Sequence, residues 1–346
     1  MKAQMLFCLL GFIVSLMSIT HAQTTDNTLT ADDGTYWTLP MTECNDDNIC
    51  EIRVSPQGTI YSWDMVNFLL YVSQKNADIY DTYDLTEHSQ HIIASIDFVP
   101  YDEEGYVVFF SPVGGVRALT RYELATGNLD LMQFPEDYDL VGCNRYSAVN
   151  QRELRLIFPL GLDGHLVACT DSPQNRPVIH IIDVNTLNIE QSLDIGGQFS
   201  DIIQPSWQLM AGLDGKIYAV VINASAIFPD LPPIDYENEE IALIYDTSTN
   251  LWEYQIISSS LGILVSALPD GTIYVRRRLL NQYSPSFELI REIGNTELET
   301  IPQHYIGITL DGNTFLYQGV GYGNILVSNI SDYPLLEADD QSEGEQ

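Results

Sequence analysis

The segment 211–220, AGLDGKIYAV, decides the fold, because it reads as one tight β-hairpin. The pair Asp214-Gly215 separates a short apolar run from a second run rich in β-branched and aromatic residues. Asp and Gly tolerate the positive φ angles of a tight turn, so this pattern is a strong hairpin signal. A turn that ends in Gly between two such runs occurs at five other places: VSPQGTIYSW (54–63), VPYDEEGYVVFF (99–110), LGLDGHLVAC (160–169), ALPDGTIYVR (267–276) and ITLDGNTFLY (308–317).

A second hairpin follows the middle copies, and its turn is rich in Thr, Asn or Gly. The examples are RYELATGNLDLMQF (121–134), IIDVNTLNIEQSL (181–193) and LIYDTSTNLWEYQII (243–257). Four-stranded units that repeat about every 40–50 residues are typical of β-propeller blades. We therefore expect an all-β, six-bladed propeller, with seven blades as the alternative. The segment DDGTYWTLP (32–40) is expected to close the ring by adding an outer strand to the last blade, which hides the sheet edges.

Three resemblances accompany this pattern. The order of apolar strand, Asp-Gly turn and IYV-type strand resembles the blades of secreted NHL and SMP-30/gluconolactonase-like propellers. YDTSTNLW (245–252) is similar to the second half of a kelch repeat, although the kelch glycine pair is missing. TADDGTYW (30–37) resembles the Asp-box of sialidase-type propellers. These resemblances imply a propeller scaffold, but no specific family follows from them, and a fold does not by itself assign a function.

The charge of the chain excludes some classes of partner. Its 48 Asp and Glu outnumber its 14 Lys and Arg, which gives a net charge of −34. Nucleic acids and anionic membranes attract proteins through Lys and Arg, so neither is an expected partner. We expect an extracellular protein, a glycan or a small molecule as the partner, and a monomeric chain.

The ends of the chain predict export. Residues 1–22 read as a signal peptide, 23–336 as the propeller and 337–346 as an acidic disordered tail. The protein is accordingly predicted to be secreted, extracellular or periplasmic, with no membrane span. In an oxidising compartment disulfides are expected among the four later cysteines. Proximity favours Cys44–Cys50 and leaves Cys143–Cys169, although three pairings are open. Asn223 and Asn329 lie in sequons for N-glycosylation.

A candidate ligand site follows from the expected inner strands. Counting eight or nine residues back from each turn glycine places one residue per blade at the mouth of the central channel, opposite the Asp-Gly turns. The side chains suited to a small polar ligand are Asp97, Arg155, Trp207 and His304, and Cys50 and Gly262 complete the ring. No cofactor or metal site is expected, although calcium remains possible at the acids Asp78, Asp81 and Asp84 or in the loop 45–48.

The function that follows is that of an extracellular binding or interaction module whose ligand is unknown. Linear catalytic motifs such as G-x-S-x-G or H-E-x-x-H are absent from the sequence. The alternative is a metal-assisted propeller hydrolase, lactonase or lyase that acts on a small extracellular substrate. A sialidase-like glycosidase is the third possibility.

Overall fold

The structure is a computed structural model that describes the strands and many of the turns between them. The described residues are 36–38, 50–73, 80–92, 97–111, 118–134, 139–141, 143, 156–171, 177–194, 208–221, 228–235, 237–258, 261–276, 280–293, 304–318, 324–330 and 335. The predicted signal peptide, the predicted acidic tail, Cys44, Arg155, Trp207 and Asn223 lie outside them.

Five antiparallel sheets are each built from one continuous stretch of chain. Sheet 1 contains β2 (Cys50–Val54), β3 (Ile60–Asp64), β4 (Leu69–Ser73) and β5 (Tyr80–Asp84). A 3-10 helix (Thr86–His88) and the short helix α1 (Ser89–Ile92) lead to sheet 2. Sheet 2 contains β6 (Asp97–Tyr101), β7 (Tyr106–Ser111), β8 (Ala118–Glu123) and β9 (Leu129–Gln133).

Sheet 3 has five strands because its first position is divided. Its strands are β10 (Asp139–Val141), β11 (Phe158–Leu160), β12 (His165–Asp171), β13 (Pro177–Asp183) and β14 (Asn188–Asp194). Both β10 and β11 pair with β12, at opposite ends of it. The long interval before Gly164 therefore lengthens the first strand position of sheet 3 and forms no sheet of its own among the described residues. The alternative of seven blades is wrong for this reason.

Sheets 4 and 5 return to four strands. Sheet 4 contains β15 (Gln208–Ala211), β16 (Lys216–Val221), β17 (Glu239–Asp246) and β18 (Leu251–Ser258). Sheet 5 contains β19 (Ile263–Ala267), β20 (Ile273–Arg276), β21 (Leu280–Tyr283) and β22 (Leu289–Ile293).

The remaining strands form a composite sheet from both ends of the chain. It contains β23 (His304–Ile308), β24 (Thr314–Gln318) and β25 (Asn324–Asn329), and its outer strand is β1 (Tyr36–Thr38), which pairs with β25. The prediction of a six-bladed propeller is therefore corrected: five blades are continuous units, and the composite sheet is assembled from two distant segments. The predicted pairing at the closure is confirmed, since Tyr36–Thr38, within DDGTYWTLP, forms the outer strand of that sheet. The count from turn glycines includes the composite sheet because that sheet carries its own Asp-Gly turn between β23 and β24.

The sheets follow one another around a ring, and their first strands lie inside. β2 contacts β6 on one side and β23 on the other, while β15 contacts β11 and β19. Apolar clusters fill the spaces between neighbouring sheets, for example Trp63, Phe98 and Phe109 between sheets 1 and 2. Sheets arranged in this way define a β-propeller. Within the described residues, no helix has the length and apolar character needed to cross a membrane.

The composite sheet packs very closely on sheet 1. A Cβ added to Gly307 would overlap Cγ1 of Val54 and lie 3.1 Å from its Cβ. Gly307 also sits at an irregularity in the pairing of β23 with β24. A side chain at this position is therefore excluded by the approach of β23 to β2.

The turns after the first and third strands of sheets 2, 3 and 4 lie at one end of the molecule, which we call the turn face. The turn glycines Gly105, Gly164 and Gly215 each accept a backbone hydrogen bond from the residue after the third strand. Neighbouring first turns are also linked, since Gly161 N donates to Gly212 O and Leu213 N donates to Ala267 O. The Asp-Gly motifs of different sheets are thereby brought side by side.

Candidate functional site

A cleft of about 700 Å³ opens on the turn face between sheets 3 and 4. Its floor and walls come from the turns after β11, β15 and β17, with Pro269 of sheet 5 at one side. Gly164 and Gly215 have φ angles of +77°, a region that favours glycine, so each turn is tight and holds the Asp before it at the turn face. The Asp-Gly motif thus supplies both the turn and a carboxylate.

His165 lies in this cleft between two carboxylates. Its Nδ1 is 2.8 Å from Asp163 Oδ1, and its Nε2 is 3.0 Å from Glu190 Oε2. Burial alone would lower the pKa of His165, but the hydrogen bonds and charges of Asp163 and Glu190 outweigh burial and raise it. The nearby Asp183 also interacts with His165, and its own pKa is lowered by hydrogen bonds from Thr186 and the backbone despite some burial. The imidazolium form is therefore favoured.

Asp214 supplies the carboxylate from sheet 4. Its Oδ2 accepts a hydrogen bond of 2.5 Å from the Tyr218 hydroxyl, and its Oδ1 accepts one of 3.2 Å from Lys216 N. Burial raises the pKa of Asp214, and it raises the pKa of Tyr218 even more strongly. The hydroxyl therefore stays protonated and holds the carboxylate in one orientation at the cleft wall.

The rest of the lining is mixed. Leu160, Ile181 and Leu213 provide apolar walls, and Leu162 is 47% exposed at the entrance. Thr247 donates its hydroxyl to Gly215 O at 2.7 Å, and Ser248 follows it in the turn. Apolar walls with a few convergent polar groups are typical of ligand sites, which commonly enclose about 300–1,000 Å³.

Asp97, a member of the predicted channel ring whose side chain the structure describes, is buried and hydrogen-bonded through both carboxylate oxygens. Its Oδ1 accepts hydrogen bonds from Arg53 Nε at 3.1 Å, Arg53 Nη2 at 2.6 Å and Phe98 N at 2.9 Å. Its Oδ2 accepts from Leu156 N at 2.5 Å and Ile157 N at 3.2 Å. Asp97 is 1% exposed and joins sheets 1, 2 and 3. These bonds engage both carboxylate oxygens and link the three sheets, and the ligand-binding role predicted for Asp97 stays a prediction.

The charge partners of Asp97 complete a buried network. Arg53 is 8% exposed, and its Nη1 also donates to Glu51 Oε2 at 2.9 Å. Burial opposes the charge of Arg53, yet Asp97 and Glu51 together raise the pKa of its guanidinium. Buried ions are retained when they are paired and hydrogen-bonded in this way.

The other predicted site residues fall into two groups. Arg155 and Trp207 lie outside the described residues; His304 begins β23 and Gly262 precedes β19. The side chains of His304, Cys50 and Asn329 are not among the described features, so the roles predicted for them stay predictions. The expected disulfide between Cys143 and Cys169 is confirmed, with a Cα–Cα distance of 5.0 Å. It ties Cys143, two residues after the end of β10, to Cys169 in β12.

The described part of the chain contains no candidate metal-binding cluster. No group of three or more His, Cys, Asp or Glu side chains there has an arrangement that could hold a metal ion. Of the acids considered for calcium, Asp84 lies in β5 and accepts a hydrogen bond from Thr86 N, while Asp78 and the loop 45–48 fall outside the described residues. The calcium and metal-hydrolase hypotheses therefore stay predictions.

Comparison with known proteins identifies no family. No protein-family model matches the sequence, and a search of curated proteins finds no significant match. Among solved structures, an oligogalacturonate lyase from Vibrio parahaemolyticus is similar with a TM-score of 0.46 and 11% identity, over 88% of this chain and 96% of the lyase. The WD40 domain of Toxoplasma gondii coronin gives 0.43 and 10% identity, over 80% and 67% of the two chains.

A third similar structure is the dihydro-haem d1 dehydrogenase NirN, with a TM-score of 0.41 and 10% identity, over 91% of this chain and 71% of that one. Likenesses at this level carry no argument about function. The class of protein, a β-propeller, rests on the sheets and their packing, and the NHL-like, SMP-30-like and kelch-like resemblances stay predictions.

Sequence reasoning missed the cleft residues His165, Glu190 and Asp214. It treated the Asp-Gly pairs as turn signals only and searched the opposite end of the inner strands. A usable signal was present in LGLDGHLV (160–167), where a histidine follows an Asp-Gly turn directly and only the turn glycine Gly164 separates Asp163 from it.

Proposed function

We propose that this protein is a secreted, extracellular binding module whose ligand occupies the turn-face cleft between sheets 3 and 4. The observation that carries the proposal is the convergence of His165, Glu190 and Asp214, from two different sheets, on one cleft of about 700 Å³. The disulfide between Cys143 and Cys169 supports an oxidising compartment, as does the apolar segment at the start of the sequence.

The geometry of His165 favours binding over catalysis at this cleft. A histidine that acts as a general base needs one ring nitrogen free to accept a proton from the reacting group. Both ring nitrogens of His165 face carboxylates, at 2.8 and 3.0 Å. The side chain therefore acts as a fixed charge that orders Asp163 and Glu190, which suits recognition.

The test is a ligand panel read by thermal unfolding of the full secreted chain. The panel contains primary amines, guanidines, carboxylic acids, amino acids and neutral sugars. A ligand that binds only the folded state raises the melting temperature, by an amount that grows with its concentration above Kd. We expect at least one chemical class to do so.

A matched pair of variants locates the effect. Leu162→Trp places an indole at the entrance of the cleft, while Leu251→Trp makes the same change at a residue that is 63% exposed on β18. The shift should persist in Leu251→Trp and disappear in Leu162→Trp. A panel without any shift, or a shift that survives Leu162→Trp, would overturn the proposal.

A further inference from the structure

The charges around the turn-face cleft are unbalanced. Three carboxylates line it, from Asp163, Glu190 and Asp214, and His165 is the basic side chain among the lining residues. Lys216 on β16, outside the lining, also interacts electrostatically with Asp214. Asp163 and Glu190 keep 74% and 52% of their side-chain surface exposed, so their outer oxygens face the cleft entrance and solvent. The chain as a whole carries −34, and its field attracts cations toward this entrance.

The shape of the cleft distinguishes between kinds of cation. A volume of about 700 Å³ far exceeds that of a single metal ion, and the described residues contain no metal-binding cluster. Leu160, Leu162 and Leu213 line the same space as the carboxylates. A lysine-like side chain buries its methylene stem along apolar surface while its charged head stays at the polar rim.

Resting on the binding function proposed above, we propose that the cleft binds an alkylammonium group, with its ammonium at Glu190 and Asp214 and its methylene stem against Leu160 and Leu213. Such a group is carried by a lysine side chain of a partner protein or by a free aliphatic amine. An ammonium head donates three hydrogen bonds, and charge-assisted bonds to carboxylates are the strong ones.

The imidazolium of His165 competes with this ligand. It neutralises part of the charge of Asp163 and Glu190, which favour its protonated form. Asp183 on β13 also interacts with the imidazolium, and Asp214 across the cleft adds to the negative field. Removal of the competing cation should strengthen the binding of an amine. A purely structural role of His165 predicts the opposite, because loss of its two hydrogen bonds would loosen the cleft.

The experiment compares cadaverine, which carries an alkylammonium at each end, with pentanol, which has a chain of the same length and no charge. Binding is measured by calorimetry at low and high salt. Cadaverine should bind, pentanol should not, and the affinity should fall as salt rises because the carboxylates are partly exposed. Acetyl-glycyl-lysyl-glycine amide tests the lysine source, and its norleucine analogue is the neutral control.

Charge variants test where the ammonium group binds. Glu190→Gln should weaken the binding of cadaverine about tenfold. Glu253→Gln makes the same change at an exposed residue on the outer strand of sheet 4, and it should leave the affinity unchanged. His165→Gln should strengthen binding about threefold or more near pH 6, and the difference should shrink as the pH rises and the native imidazolium loses its proton.

The outcomes separate the two proposals. Binding of cadaverine alone indicates a free amine and tighter binding of the lysine peptide indicates a partner protein; both support the alkylammonium site. If only an acid or a sugar gives a shift that Leu162→Trp abolishes, the binding function stands and the alkylammonium site is refuted. Equal effects of Glu190→Gln and Glu253→Gln, or weaker binding in His165→Gln, would also refute it.

Discussion

The buried carboxylate of Asp97 offers the sharpest test of what holds three sheets together. In the variant Asp97→Asn the side chain keeps its size but loses the charge that faces Arg53. The guanidinium, 8% exposed, then keeps Glu51 as its charged partner, and the backbone amides of Leu156 and Ile157 face an amide instead of a carboxylate. An Asn orients one acceptor oxygen, so part of this set of donors is left without an acceptor.

The expected loss follows from the burial of the pair. Removal of one partner from a buried ion pair costs about 3–5 kcal/mol, because the other charge remains desolvated. In urea, with an m-value on the order of 3 kcal/mol/M for a chain of this size, the unfolding midpoint should fall by about 1–1.7 M. The assay is tryptophan fluorescence across a urea series, since Trp63 is fully buried between sheets 1 and 2.

The control is the same substitution in an exposed pair. Asp130 Oδ2 lies 2.7 Å from Arg121 Nη2, close to the 2.6 Å of the Asp97–Arg53 pair, but its side chain is 55% exposed and that of Asp97 is 0% exposed. Asp130→Asn should therefore cost no more than about 1 kcal/mol. Equal midpoint shifts for the two variants would refute the reasoning, since burial would then make no difference.

Two further stability predictions concern Gly307 and His180. Gly307→Ala should lower the free energy of unfolding, measured in a urea series, by about 1–3 kcal/mol because the new Cβ overlaps Val54. This loss should nearly vanish in a Val54→Ala background. An equal loss in both backgrounds contradicts the steric explanation. His180 is buried, lies 2.7 Å from Thr170 Oγ1 and 2.9 Å from Ser192 Oγ, and burial lowers its pKa to about 4. Since the folded state favours the neutral ring, the contribution of His180 to the free energy of unfolding is fully present above the unfolded pKa of about 6.5. About 3 kcal/mol of this free energy is lost as the pH falls toward 4. His180→Gln should flatten the pH dependence of the unfolding free energy over that window, and an unchanged slope would assign the dependence to other groups.

Local patterns were sufficient for the strands and the turns. The hairpin of 211–220 is β15, an Asp-Gly turn and β16, and the hairpin of 243–257 forms the paired ends of β17 and β18. Each of these signals depends on neighbours in sequence, because period-two alternation and a positive φ at Gly are properties of a few adjacent residues. The disulfide partner of Cys169 was also favoured by the sequence, since the proximity of Cys44 and Cys50 left Cys143 for it, although other pairings were open.

The candidate site could not be predicted from local sequence patterns in the same way. Asp163 and Asp214 are separated by a whole blade, and the cleft exists because Gly161 N bonds to Gly212 O and sets the two turns side by side. The role of Asp97 was also hidden, because the offset from the turn glycine specifies a position along the inner strand and gives no information about its partners. Arg53 comes from the preceding sheet and Leu156 from the following one.

By itself, the sequence determined the strand order, the turn chemistry, the acidity and the repeating hairpin, since all of these are local or additive properties of the chain. The tertiary structure decided the division of the first strand position of sheet 3, the burial of Asp97 and the grouping of His165 with Glu190 and Asp214. These features depend on contacts between residues that are far apart in sequence, and such contacts are selected by the closure of the ring, in which every sheet must pack against two neighbours at once.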